Sequence, residues 1–181
     1  YTVSLALWGD GYDVSDLQLS NGSDFNGTQG RVVPMGSLSW SLPLISTGET
    51  LTQIIEPRVE LVGAPNYGNP QRIPNEDSQD FELEDTNVFG LRRYPGLDRV
   101  EEGPRVNYGL KWQGLGGNWS NASVFVGQVY RFRDDNTFPD RSGIEGNVSD
   151  FVSAVQYSPG PYVDLIYRNR FGSSDFDMHR Q

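Results

Sequence analysis

The sequence predicts an all-β protein: an antiparallel up-and-down meander of about seven strands, forming a segment of a larger transmembrane β-barrel. Three observations carry this prediction. Apolar and polar residues alternate with period two in seven stretches, and no window of comparable length shows the i, i+3, i+4 spacing of an amphipathic helix. The connections between those stretches alternate long and short, as in membrane barrels, whose short turns and long loops gather at opposite ends. The apolar faces run the full length of strands of about ten residues, the span a tilted strand needs to cross a hydrocarbon core.

The first stretch, 1–9, sets Tyr1, Val3, Leu5 and Leu7 against Thr2, Ser4 and Ala6. A long connection over 17–30 leads to 32–44, where Val32, Pro34, Leu38, Trp40, Leu42 and Leu44 oppose Val33, Met35, Ser37, Ser39 and Ser41. The short turn 46–50 (Ser46-Thr47-Gly48-Glu49) precedes 51–63, with Leu51, Ile55, Val59 and Leu61 against Thr52, Glu56, Arg58 and Glu60. After a very long connection, 64–104, comes the cleanest alternation, 105–113. There Val106, Tyr108, Leu110 and Trp112 alternate with Arg105, Asn107, Gly109, Lys111 and Gln113. The Gly-rich turn 114–118 leads into 119–132, with Ala122, Val124, Val126, Tyr130 and Phe132 on one side. A long connection, 133–148, precedes a weaker stretch, 149–157. The turn 158–161 (Ser158-Pro159-Gly160-Pro161) then opens 162–171, with Val163, Leu165, Tyr167 and Phe171 against Asp164, Arg168 and Arg170. The whole of 1–181 reads as one partial barrel domain. Bacterial single-chain barrels usually have an even number of strands, and seven strands also leave both edges unpaired, which in lipid costs several kcal/mol per bare backbone group, so the chain is expected to be part of a larger barrel.

Composition removes several classes of function. The net charge is −10, from 24 acids against 14 bases, so no basic face for nucleic acid can be drawn. There is no cysteine and a single histidine, His179, which leaves no material for zinc ribbons, thiol catalysis or a multi-histidine metal site. No apolar run is long enough for a transmembrane helix, and the first residues lack the basic start and cleavage site of a signal peptide. No P-loop, dinucleotide fingerprint or GxSxG is present; neither catalytic residue, metal nor cofactor is expected. The acid run Glu76, Asp77, Asp80, Glu82, Glu84, Asp85 lacks EF-hand spacing and reads as a solvated loop. Asn-x-Ser/Thr at Asn21, Asn26, Asn118, Asn121 and Asn147 reads as turn chemistry.

Period alone leaves a soluble β-sandwich open, one that binds carbohydrate, because Glu56, Arg58, Glu60, Arg105, Lys111, Arg131, Asp164, Arg168 and Arg170 could equally form its solvated outer face. A segment of a general porin or receptor barrel would share the same strand pattern.

The long connection and its flanks carry a further signal. Glu56-Pro57-Arg58 enters it, followed by Asn75-Glu76-Asp77-Ser78, Asn87-Val88-Phe89 and Arg93-Tyr94-Pro95-Gly96-Leu97-Asp98-Arg99; Tyr108-Gly109 and Val126-Gly127-Gln128-Val129-Tyr130 come after it. In order and spacing this resembles the C-terminal barrel of the LptD family of lipopolysaccharide-assembly proteins of the bacterial outer membrane. The resemblance implies an integral outer-membrane barrel of about twenty-six strands. Such a barrel holds an LptE-like lipoprotein in its lumen, receives lipopolysaccharide from a periplasmic Lpt bridge through an N-terminal jelly-roll domain, and releases it through a lateral gate. Neither the jelly roll nor the gate strands, nor the cysteines that pair in some members, are expected within these residues. Under this resemblance Glu56, Pro57, Asp77, Ser78, Phe89, Arg93, Gly96, Asp98 and Arg99 form an ordered structural loop facing the lumen. Asp98 and Arg99, with Arg92 and Arg93, are expected to form ion pairs there.

Overall fold

The computed structural model describes residues 1–117, 120–133, 138–173 and 177–180. Trp119 at the start of the fifth stretch, Asn118 in its turn and 134–137 in the last long connection lie outside the described residues. Among the described residues nine strands form one antiparallel sheet: β1 (Thr2–Gln18), β2 (Asp24–Ser41), β3 (Leu44–Thr47), β4 (Leu51–Gly63), β5 (Arg105–Gly116), β6 (Asn121–Arg131), β7 (Phe151–Gly160), β8 (Val163–Phe171) and β9 (Met178–Arg180). Their order across the sheet is β1-β2-β4-β5-β6-β7-β8-β9, with β3 paired to β4. The sheet is open, as a barrel segment must be.

The count exceeds seven for two local reasons. β3 continues the line of β2 along β4, interrupted at Pro43, which has no N–H to give the ladder; Leu42 N–H reaches the Pro57 carbonyl at 3.2 Å across the break. β9 is a short piece that pairs with the end of β8.

The connection expected over 17–30 is not a loop. β1 and β2 stay paired from Thr2↔Ser39 up to Gln18↔Asp24, and the chain reverses at 19–23, where Gly22 takes φ +81° and its N–H bonds the Leu19 carbonyl. A bulge between Val14 and Leu17 puts Asp16 at φ 56°, its N–H held by Asn26 Oδ1 at 2.8 Å. The glycines and aspartates of this stretch resemble loop composition, yet cross-strand pairing keeps them extended. Gly36 pairs with Gly63, the last residue of β4, so 24–35 of β2 rise beyond the neighbouring strand by about 40 Å at the usual rise per residue. The other long connections, 64–104 and 132–150, leave from the same end of the sheet, and the short ones after β3, β5 and β7 close the opposite end.

The two faces of the sheet are the reverse of a soluble protein's. The apolar face is bare: Leu5 is 86% exposed, Leu110 50% and Leu165 57%, alongside Val3, Leu7, Trp40, Leu61, Val126 and Tyr167. The polar face is covered, because 64–104 and 138–150 fold back onto it and bury Arg31, Glu60, Arg105, Asn107, Arg131 and Arg170. A sandwich would bury the Leu110 face and solvate the Asn107 face, so the period-two pattern belongs to a membrane wall. Phe81, Leu83, Val88, Tyr94, Phe138 and Ile144 from the two loops pack on Val129 and Val152, and Val100 packs on Val33 and Met35 of β2. Tyr94 stacks on Phe138 with ring centres 4.9 Å apart.

Candidate functional site

The 64–104 loop has almost no regular structure, so its backbone groups need other partners. Two aspartates supply them reciprocally. Asp77 accepts from Leu97 N–H at 2.7 Å and Asp98 N–H at 2.9 Å, while Asp98 accepts from Glu76 N–H at 2.7 Å and Asp77 N–H at 3.1 Å. Each carboxylate thus caps the backbone turn that carries the other. Ser78 completes the crossing: its hydroxyl donates to Asp77 Oδ1 at 2.8 Å and accepts Arg99 N–H at 3.3 Å. Burial works to raise the Asp77 pKa, but the N–H donors of Leu97 and Asp98, with Ser78, outweigh it and hold the carboxyl at about 2. Gly96 is required by this approach, since a Cβ there would lie 2.1 Å from Asp77 Oδ1 and 2.4 Å from the Asp77 carbonyl oxygen.

The expected ion pairing within Asp98, Arg99, Arg92 and Arg93 is not what the structure contains. Asp98 serves backbone N–H groups, and the Arg99 guanidinium donates to the carbonyls of Ile73 (3.0 Å) and Asp98 (3.1 Å). Arg92 donates to the Gly96 carbonyl at 2.9 Å. Irregular backbone has carbonyls to satisfy, and a guanidinium with five donors does so where a carboxylate cannot. Of the four, Arg93 alone has a carboxylate partner among the ion pairs of the described residues, and that partner is Glu101.

Glu101 is the buried electrostatic centre of the loop. Arg93 grips it with Nε and Nη2, and Arg105 at the start of β5 lies 3.3 Å away; all three side chains are at most 1% exposed. Burial raises the Glu101 pKa, but the facing charges of Arg105 and Arg93 more than reverse this and leave it below the ordinary value. Arg105 also donates to the carbonyls of Gly90 (3.0 Å) and Leu91 (2.9 Å).

Arg105 is one of four strand arginines that hold loop backbone. Arg31 of β2 donates to the Gly68 and Asp98 carbonyls at 2.8 and 2.9 Å, and pairs with Asp10 at 2.9 Å. Arg131 of β6 donates to the Ile144 carbonyl at 2.7 Å. Arg170 of β8 joins both loops, pairing with Glu82 at 2.8 Å and Asp150 at 3.2 Å. The structure therefore brings Asp77, Ser78, Gly96, Asp98 and Arg99 into one crossing and puts Arg93 on Glu101. Phe89 lies lower on the sheet, edge-on to Phe125 and with the Arg58 guanidinium 4.7 Å above its ring. Glu56 and Pro57 belong to β4 and do not join the crossing; Glu56 Oε1 lies 3.8 Å from Arg58 Nε.

Sequence reasoning missed Arg31, Glu101, Arg105, Arg131 and Arg170 as loop anchors. The available signal was positional, since Arg105, Arg131 and Arg170 each stand at the loop-side end of a strand with polar-face parity. Among the described residues no group of three or more His, Cys, Asp or Glu could hold a metal ion. The arrangement binds loop to wall.

The sequence profile of the family described as LptD, LPS transport system D, matches residues 1–181. The chain is similar to the LPS-assembly protein LptD of Salmonella paratyphi A, 28% identical over 130 residues, covering 67% of this chain and 16% of that protein. It is also similar to the LPS-assembly protein LptD of Salmonella choleraesuis, 29% identical over 119 residues, covering 61% of this chain and 14% of that protein. The chain thus spans about a sixth of the length of the curated relatives it matches. A match along every residue, on a sheet with its apolar face outward and its polar face under a latched loop, places this chain in the LptD family.

Proposed function

We propose that this chain forms barrel wall and lumen-closing loop of an outer-membrane translocon that inserts lipopolysaccharide into the outer leaflet. It performs no bond chemistry. The observation that carries the reading is the reversal of the sheet's faces: lipid-compatible residues outside, and inside a polar surface on which the 64–104 loop is fastened by Arg31 and Arg105. A polar interior suits a cargo whose sugars must cross the hydrocarbon region, while its acyl chains remain outside. Lipopolysaccharide is the proposed cargo, an LptE-like lipoprotein the lumen partner, and the periplasmic Lpt bridge the source.

The test is depletion of the parent protein in its own cells, with surface lipopolysaccharide measured by a membrane-impermeant label. Surface label should fall and return when the full parent is supplied again. Unchanged surface label after depletion overturns the proposal.

A further inference from the structure

Below the latched loop, toward the short turns, one cross-strand row of the inner face runs Glu56–Lys111–Phe125–Ala154–Arg168. Lys111, Phe125, Ala154 and Arg168 of this row, with Arg58 and Phe89, line a cavity of about 220 Å³, which also touches Asp85 and Gln156. Neighbouring inner-face cations nearer the loops are neutralised, as Arg170 is by Glu82 and Asp150 and Arg105 by Glu101. This row differs. Arg168 pairs with Asp85 at 3.0 Å while half its side chain stays exposed, and Arg58, whose guanidinium lies over the Phe89 ring, has a loose contact to Glu56 at 3.8 Å as its ion pair among the described residues. Lys111 stands beside Glu56 in the ladder yet makes no ion pair or hydrogen bond among the described residues.

Lys111 and Arg168 are three strand spacings apart, about 14 Å between backbones, and both line this one cavity. The Phe125 ring lines the cavity and leans over the paired glycines Gly109 and Gly127; a Cβ at Gly127 would meet the ring at 2.7 Å. Few polar groups beside an aromatic ring make a pocket that orients a small polar ligand. A second cavity of about 350 Å³ shares Asp85 and Arg168 and extends the space along β8 past Ile166 and Tyr167.

We propose that Lys111, Arg168 and Arg58 form a subsite for a phosphomonoester carried on a sugar, with the phosphate between the cations and the sugar ring against Phe125 and Phe89. The inference rests on the transport reading above and specifies the part of the cargo that the lumen recognises. Arg takes phosphate oxygens in bidentate fashion, and Lys adds a point charge.

The test uses the full parent in detergent and tritiated lipid A, in its diphosphorylated and its dephosphorylated form, with binding read by scintillation proximity. Lys111→Gln, Arg168→Gln and Arg58→Gln should each weaken the phosphorylated probe about tenfold. Lys111→Arg and the exposed Arg72→Gln should bind as wild type, and all proteins should bind the dephosphorylated probe alike and weakly. Binding of the phosphorylated probe unchanged in all three Gln variants, or equal losses for both probes, overturns the subsite and leaves the transport function standing. Conversely, Lys111-dependent binding of inorganic phosphate without any binding of lipid A supports the anion site and overturns lipopolysaccharide as cargo. Should Arg58→Gln fail to fold, a salt titration of the wild type decides: affinity for the phosphorylated probe alone must fall as salt rises, and salt-independence overturns the proposal.

Discussion

Asp77 and Asp98 show how a carboxylate can organise backbone without any cation. Each accepts two N–H groups from the other's turn, so losing either carboxylate strands donors on both segments. Asp77→Ala or Asp98→Ala should therefore loosen the loop by about 1–2 kcal/mol, in the range of lost helix caps, whereas the exposed Asp80→Ala should change nothing. Amide exchange at Glu76, Leu97 and Asp98 in the parent reads this directly; equal exchange in all three variants would contradict it. The same bonds set a pH dependence. The folded Asp77 carboxyl titrates at about 2 against an ordinary 3.8, so its stabilisation is complete above that ordinary value and lost as pH falls through about 2. Exchange at Leu97 and Asp98, corrected for intrinsic rates, should accelerate across that window, and Asp77→Asn should abolish the acceleration. Gly96→Ala should match Asp77→Ala in effect, because its Cβ cannot share space with Asp77. A harsher outcome is expected at Glu101. Removing Arg93 leaves a carboxylate buried with one partner fewer, a loss of about 3–5 kcal/mol for buried pairs. Arg93→Ala should then lower the yield of assembled parent, measured by heat-modifiable migration; a normal yield would show that Glu101 keeps its charge balance through Arg105 alone.

Strand parity makes sharper claims at the level of the element. On β5, Leu110 faces outward and Gln113 inward, away from the loop. Leu110→Arg places a charge on the lipid face and should cost roughly 2–4 kcal/mol near the midplane, whereas Gln113→Arg should be tolerated. Folding yield into bilayers distinguishes the two; equal yields would mean that β5 does not face lipid. Asn107 faces inward too but would not tolerate the change, because it is fully buried and donates to Glu60 Oε2 at 2.9 Å. β5 also shows what was legible in the sequence. Its alternation from Val106 to Trp112 gave the strand, its first residue and both faces, while its end at Gly116 lies three residues beyond the expected one, inside the stretch read as a turn. β1 and β2 show what was not: Gly9, Gly11, Gly27 and Gly30 break the apolar pattern, and only pairing between the two strands reveals that they remain extended. Composition describes a residue's solvent exposure, and at Gly9, Gly11 and Gly30 the ribbon is exposed although its strands are paired. The loop was readable as a set of short motifs, but not as contacts. Nothing local in Asp98-Arg99 says that each will serve backbone rather than the other, since that depends on Ile73 and Glu76 arriving from more than twenty residues away.

For the molecule as a whole, the distribution of apolar surface dominates. Expressed alone in aqueous buffer, these residues should aggregate, because the sheet exposes one apolar face and has two unpaired edges. Light scattering without detergent tests this, and a monodisperse, cooperatively melting monomer would refute the membrane reading. Polar loop anchors and apolar wall lie on opposite faces of the same strands, so neither can be optimised by a register shift without harming the other.

The mutual capping of Asp77 and Asp98 turns the twenty residues between them into a ring closed without a covalent bond. Cutting a ring once does not separate its ends. A protease that nicks the exposed Gln79–Asp80 bond would leave the upstream piece held through Asp77 and the downstream piece held through Asp98, Glu82 and Glu101. Such a nicked protein should migrate as one species while folded and as two only after denaturation. A cut at this exposed bond would therefore leave the loop fastened to the wall.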